Sequence, residues 1–307
     1  MRTGNLLLTL TTLSEFSLAP CSTESNPEVM NEEATHVVQR NGQTAAREAL
    51  IPLAFAGHAH FTAMQVRGGK VRGLDLHLAR LRDASVQLFG QALPDHQVLA
   101  YLRSAVEAGP GELSLTATVY SPEGEFVPAP ADAKPAVLIR TGPPASGPAG
   151  PLRLQVFEYE RVLPAVKHVG EVAKTYFLRR AVAQGFDDAA FVDRYGRISE
   201  GSIWNLAFWD GSAVVWPVAQ MLGGTTMAIV RRQLDRLGVP QREQVVTLAD
   251  LASMAGALVM NSWTPGVAVH GIGPTALPEA PDFVTLLHRA YELDPLTSLV
   301  PPDSPWQ

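Results

Sequence analysis

Ile198-Ser199-Glu200-Gly201-Ser202-Ile203-Trp204-Asn205, read together with Val166-Lys167-His168 some thirty residues earlier, decides how this chain is understood. Between the two lies a helical segment, Glu171 to Gln184, in which Val172, Tyr176 and Phe177 fall on one face and Gly185 supplies the stop. Ala189 to Val192 reads as a buried strand and Asp193-Arg194-Tyr195-Gly196 as its turn. Arg197 onward is the returning strand, which brings Glu200 back towards Lys167. An amine and a carboxylate then meet in one pocket. The competing reading is two solvated surface charges, the ordinary fate of Lys and Glu. Lys174, inside the helix and off the Val172 side, is read as a surface residue.

Working outward, Gly185-Phe186-Asp187-Asp188-Ala189 and Ile198 to Asn205 stand in the order and pattern of "G-[FY]-D-[DE]-A" followed by "[VI]-[ST]-E-G-[ST]-x-x-N". Leu74-Asp75-Leu76-His77-Leu78-Ala79-Arg80-Leu81 fits "L-D-x-H-L-x-R-L", and Gly223-Gly224-Thr225-Thr226 stands where "L-P-G-[VI]-T" would be. In these blocks the chain resembles the class IV aminotransferases, the fold-type IV pyridoxal-phosphate enzymes. The resemblance implies a two-domain α+β fold, with a small α/β N-terminal domain and a larger C-terminal domain of mixed sheet or pseudo-barrel with flanking helices. It implies pyridoxal 5′-phosphate as cofactor, Lys167 as the catalytic Schiff-base lysine and Glu200 at the pyridine nitrogen. Asn205 supports the Glu200 loop, while Arg80, Gly224, Thr225, Thr226 and Ser262 complete the cofactor site. Phe61, Tyr120, Trp263 and Thr264 are the candidate substrate-pocket residues. Here Gly223 replaces the proline of the phosphate loop and Thr225 its apolar residue, although the donors remain.

The residue types suit these roles. A guanidinium grips phosphate oxygens through two parallel bonds. Backbone amides at a helix start with hydroxyls beside them make an anion site, although Gly-Gly-Thr is also an ordinary turn and cap. A reacting lysine needs a lowered pKa, which burial and neighbouring cations provide. His77 is read as structural.

In the rest of the chain, Val37 to Arg40 before Asn41-Gly42 and Phe61 to Arg67 before Gly68-Gly69 read as strands with tight turns. Asp75 is read as the cap of a helix whose stripe is Leu74, Leu78, Leu81 and Leu88, ended by Gly90. Gln97 to Ala108 reads as a second helix, and Leu113 to Tyr120 and Ala136 to Arg140 as strands. The expected division is residues 1–29 as a disordered extension, 30–141 as the small domain, 142–150 as a Pro/Gly linker, 151–290 as the cofactor domain and 291–307 as a tail. Arg2, the run Leu6 to Leu10 and Cys21 look superficially like a secretion signal, but threonines and Glu15 break it and Pro20 precedes the cysteine. Thr247 and Asp250 form a capping-box-like helix start, and Leu258 to Met260 a short buried strand leading to the Asn261-Ser262-Trp263-Thr264 turn.

Composition fits a globular enzyme: 307 residues, 46% hydrophobic, 18% charged. The net charge of −6, from 24 basic and 30 acidic residues, gives no reason to expect nucleic acid or a membrane as partner. One cysteine excludes an internal disulfide and a cysteine-rich metal site, and favours a reducing, cytoplasmic compartment. The partners expected are a small-molecule amino donor and a keto-acid acceptor, and the resemblance implies a homodimer. A lyase of the aminodeoxychorismate type, which shares the fold, lysine and glutamate, is the alternative, and a non-catalytic cofactor-binding protein is a third reading.

Overall fold

A computed structural model describes residues 36–54, 57–126 and 134–300; the extension expected at residues 1–29 lies outside them. Strands β1 (Val38–Arg40) and β2 (Gln43–Thr44) form the Asn41-Gly42 hairpin, and a 3₁₀ turn leads into the short helix α1 (Ile51–Ala54). Then come β3 (Ala59–Val66), β4 (Lys70–Arg72), α2 (Leu74–Phe89), α3 (Asp95–Glu107), β5 (Leu113–Tyr120) and β6 (Ala136–Gly142). These strands, β4 aside, make an antiparallel sheet in the order β2-β1-β6-β5-β3. Residues alternate across it. Met64, Val66, Leu113, Leu115, Ala117, Val137 and Ile139 pack with Leu81, Leu102 and Val106 of α2 and α3, while Phe61, Ala63, Ser114, Thr116 and Arg140 line a cavity on the other face.

The second half contains β7 (Leu152–Glu158), α4 (Val172–Ala183), β8 (Asp188–Val192), β9 (Ile198–Gly201), β10 (Asn205–Trp209), β11 (Val214–Pro217), α5 (Thr225–Arg236) and β12 (Gln241–Gln244). It ends with β13 (Gly256–Asn261), β14 (Thr264–Ile272), β15 (Thr275–Ala276), α6 (Pro281–Glu292) and β16 (Leu296–Ser298). In the mixed sheet β10-β13-β14-β7-β8-β9, the pair Glu200–Asn205 joins β9 back to β10 and closes a ring of six strands. Alternation again explains the packing. Leu206, Phe208, Ala257 and Val259 fill the cluster shared with Leu154, Ile198 and Val269, whereas Ala207, Leu258 and Met260 meet Met227, Val230, Phe283 and Leu287 of α5 and α6.

Four expectations need correction. The buried residues of α4 are Lys174 and Ala181, while Val172 and Tyr176 are 82% and 56% exposed; the inward face runs 174–177–178–181, and its charged first member hid it from a hydrophobic-pattern reading. Helix α2 has Gly73, not Asp75, at its N-cap, and the Asp75 carboxylate pairs with Arg232 instead, at 2.9 Å. Asp250 does accept bonds from the Thr247 amide and hydroxyl, but only a four-residue 3₁₀ turn follows. The segment after α6 is anchored, because β16 pairs with β4, Leu299 and Val300 join the first core, and the buried Asp294 carboxylate accepts bonds from Arg232 and Gln233. Among the described residues no helix is long and apolar enough to cross a membrane.

Candidate active site

A cavity of 580 Å³ opens between the inner face of the first sheet and the Glu200 end of the six-strand ring. Lys167 reaches it from the segment that joins β7 to α4. That segment is held in place by backbone bonds: the Phe61 amide donates to the Lys167 carbonyl at 2.8 Å, and the Val169 amide to the Ala59 carbonyl at 2.9 Å. Lys167 Nζ lies 4.8 Å from the centre of the Phe61 ring. Burial, then the positive charges of Arg80, Lys174 and Arg161, push its pKa from 10.5 down to about 7, against an opposing pull from Glu200. The neutral amine is thereby favoured well below the usual lysine range.

Glu200 is buried on β9 at the ring closure and belongs to a network of four charges. Lys174 Nζ stands 3.0 Å from Glu200 Oε1 and 4.0 Å from Glu171 Oε2. The buried Arg161 lies 2.9 Å from Glu171 and 3.6 Å from Glu200, and donates a further bond to the Val166 carbonyl at 2.6 Å. Lys174 is therefore no surface residue; it shares the cavity wall with Lys167.

The opposite rim is built by the 222–226 loop and the start of α5. Arg80 Nη2 donates to the Gly223 carbonyl at 2.6 Å and so joins α2 to this loop, its own pKa lowered to about 10 by burial and by Arg161. Asn205 Nδ2 donates to the Leu222 carbonyl at 2.7 Å. Gly224 has no room for a side chain, since a Cβ there would come within 1.9 Å of Asn205 Oδ1. The Thr226 hydroxyl is spent on the Asn261 carbonyl at 2.8 Å, whereas the buried Thr225 hydroxyl has no protein partner.

The family model for amino-transferase class IV matches residues 59–272. The chain belongs to this family. No curated protein matches the chain. Among solved structures, this class IV amino-transferase is similar to the branched-chain aminotransferase of the archaeon Thermoproteus uzoniensis crystallised with norvaline, at 18% identity and TM-score 0.75, covering 86% of this chain and 100% of that one. The Escherichia coli branched-chain aminotransferase gives 18% identity and 0.74 over 89% and 98% of the two chains. That of Thermobaculum terrenum in its PLP form gives 15% and 0.74 over 88% and 99%. The shared architecture is fold-type IV.

Class IV amino-transferases use pyridoxal 5′-phosphate, and the cavity fits it. A buried threonine hydroxyl without a partner, a helix N-terminus and an arginine converge where a phosphate would sit. Lys167, its pKa lowered, and the buried Glu200 line the same cavity.

Of the residues singled out from sequence, Lys167, Arg80, Glu200, Asn205, Gly224, Thr225, Thr226, Ser262, Phe61 and Trp263 all line this class IV amino-transferase's cavity. Tyr120 and Thr264 are not among its walls. Tyr120 is on the right sheet face, but at its end α1 covers it: Leu53 packs there and the phenol donates to the Ala49 carbonyl. Thr264 is buried beneath Gly147, its hydroxyl turned to Gly266. His77 is structural, hydrogen-bonded through Nδ1 to the Thr62 hydroxyl at 2.7 Å, with burial pushing its pKa to about 3. Sequence reading missed Arg161, Glu171, Lys174 and Arg140. For Lys174 the signal existed, since it stands three, four and seven residues before Phe177, Leu178 and Ala181. Arg140, across the sheet from Thr116, faces the cavity without a charge partner among the described residues.

Proposed function

We propose that the chain is a pyridoxal-phosphate aminotransferase that moves an amino group between an amino acid or amine and a 2-keto acid, with Lys167 as the reacting lysine. The observation that carries this reading is a lysine amine, its pKa lowered to about 7, in a cavity it shares with the buried Glu200, Arg80, Thr225 and the start of α5. Arg80, the Thr225 hydroxyl and the amides at the start of α5 would hold the phosphate, and Glu200 would hold a proton at the ring nitrogen. When bound, the cofactor supplies an electron sink for the electron pair left at the substrate α-carbon. Lys167, its pKa lowered towards neutral pH, would bind the cofactor covalently and, once free, would move the proton at that carbon. Lys174 and Arg161 stand against Glu200, at 3.0 and 3.6 Å. Arg140 is the cation available to a substrate carboxylate. The single cysteine supports a cytoplasmic protein, and family resemblance supports a homodimer.

Borohydride reduction of the loaded protein followed by peptide mapping should place the pyridoxyl group on Lys167. A panel of L-amino acids, D-amino acids, chiral amines and aminodeoxychorismate, read for keto-acid product, then identifies the donor. A pyridoxyl group on Lys174 would overturn the assignment of the lysine, and pyruvate released from aminodeoxychorismate without amino transfer would identify a lyase.

A further inference from the structure

Position 174 lies on the inward face of α4, where Phe177, Leu178 and Ala181 follow it, and an apolar side chain would complete that stripe. The chain places an ammonium there instead, with its side chain 8% exposed. Burying a charge without a partner costs several kcal/mol, so such a group persists only where its partners hold it. Its partners are Glu200 at 3.0 Å and Glu171 at 4.0 Å, with the Phe191 ring 5.9 Å away on β8. Arg161 divides itself between the same two carboxylates and sits closer to Glu171, at 2.9 Å, than to Glu200, at 3.6 Å. His168 adds a third contact to Glu171 at 3.0 Å. Glu171 therefore has its own cations, and Lys174 is the nearest positive charge to Glu200.

We propose that Lys174 is a positioning residue of the active site, whose ammonium fixes the Glu200 carboxylate at the cavity wall and adds a positive charge to those acting on Lys167. Two consequences follow from Coulomb's law in a partly desolvated cavity. Held by Lys174 and Arg161, Glu200 keeps one orientation. Left to itself, Glu200 would draw a proton onto Lys167; with Lys174 against it, that pull is offset and Lys167 remains available as an amine. The charged groups facing Lys167 are Arg80 from α2, Lys174 from α4, Arg161 from the loop after β7 and Glu200 from β9. Those facing Lys174 are Glu200, Arg161 and Glu171. The Tyr159 hydroxyl, at the end of β7, also feels Glu171, Arg161 and Glu200. Lys174 acts through Glu200 and Lys167, not on substrate.

The inference rests on Lys167 being the reacting amine, and its test needs neither cofactor nor turnover. The full chain freed of cofactor is trace-labelled with acetic anhydride between pH 6 and 10, and labelling of the Lys167 peptide is read by mass spectrometry. Wild type should give a midpoint near 7. Lys174→Met should raise that midpoint by about one pH unit, which lowers Lys167 labelling at pH 7 about fivefold, while Lys174→Arg should stay near wild type. Glu200→Gln should move the midpoint the other way. The double variant Lys174→Met/Glu200→Gln, which removes an ion pair and leaves no unpaired charge, should lie between the two single variants. An unchanged Lys167 midpoint in Lys174→Met overturns the proposal. If Lys174→Met does not fold, the double variant compared with Glu200→Gln decides, and no upward movement on removing Lys174 overturns it. A pyridoxyl group trapped on Lys174 would instead refute the functional reading, a separate result from a separate measurement.

Discussion

Lys167→Met should make the cofactor-free protein more stable at pH 7, because the folded chain disfavours the charged form of this lysine. The Lys167 pKa falls from 10.5 in an ordinary setting to about 7 in the fold. Between those values the unfolded chain binds more protons than the folded one, so the stability tied to this residue rises with pH. Below pH 7 both states are protonated and the full cost remains; above 10.5 both are neutral and it vanishes. The gap is worth at most about 4–5 kcal/mol, at roughly 1.4 kcal/mol for each tenfold in proton affinity. Lys167 still opens on a cavity that water can enter, and screening there reduces the expected gain to about 1–3 kcal/mol at pH 7. Urea unfolding of wild type and Lys167→Met, both free of cofactor, from pH 6.5 to 10 would measure it. The variant should be the more stable at neutral pH, and the difference should shrink as pH climbs. A variant no more stable than wild type at pH 7, or a difference that grows with pH, would refute the account of Lys167 as an amine whose charged form the fold disfavours.

Arg80→Ala should weaken binding of pyridoxal 5′-phosphate by about 2–4 kcal/mol, the loss of a charge-assisted pair of hydrogen bonds, measured by cofactor titration; unchanged affinity would remove Arg80 from the phosphate site. Gly224→Ala should destabilise the fold by about 1–3 kcal/mol in urea unfolding, because the new methyl must displace the Asn205 amide and its bond to Leu222.

How legible the site was in the sequence depended on whether its residues are joined through the backbone. Glu200 and Asn205 are paired across one tight hairpin, so their spacing is a local matter and the motif reads directly. Arg80 and Lys167 stand at fixed offsets from helix starts, and those offsets are also local. Lys174 was misplaced because a face search looks for apolar residues, and the decisive inward residue of α4 is charged; Val172 and Tyr176 then defined a false face that lies in solvent. Arg161 has no local signature, since its partners Glu171 and Glu200 lie on other elements. The parity of Tyr120 on its strand pointed to the cavity face, but nothing in β5 says that α1 covers that end. The anchoring of Asp294 was equally hidden, because its partners Arg232 and Gln233 are some sixty residues away.

The order of the motifs along the chain follows from how the cavity wall is assembled. Glu200 pairs with Asn205 at the point where β9 meets β10 and the six-strand ring closes. The turn between them is tight, with the Gly201 amide donating to the Trp204 carbonyl at 2.8 Å. Asn205 then reaches the Leu222 carbonyl, and its amide fills the space beside Gly224 that a side chain would occupy. Gly224 caps α5, which leaves the buried Thr225 hydroxyl without a protein partner and sends the Thr226 hydroxyl to the Asn261 carbonyl at the end of β13. Arg80 closes the path from the other half of the chain through the Gly223 carbonyl. Each contact fixes the next, from the Glu200 carboxylate to the Thr225 and Thr226 hydroxyls, so a shift of Asn205 would be felt at both ends of this wall. That coupling ties Asn205 to the loop, and its amide is why the residue at position 224 is glycine.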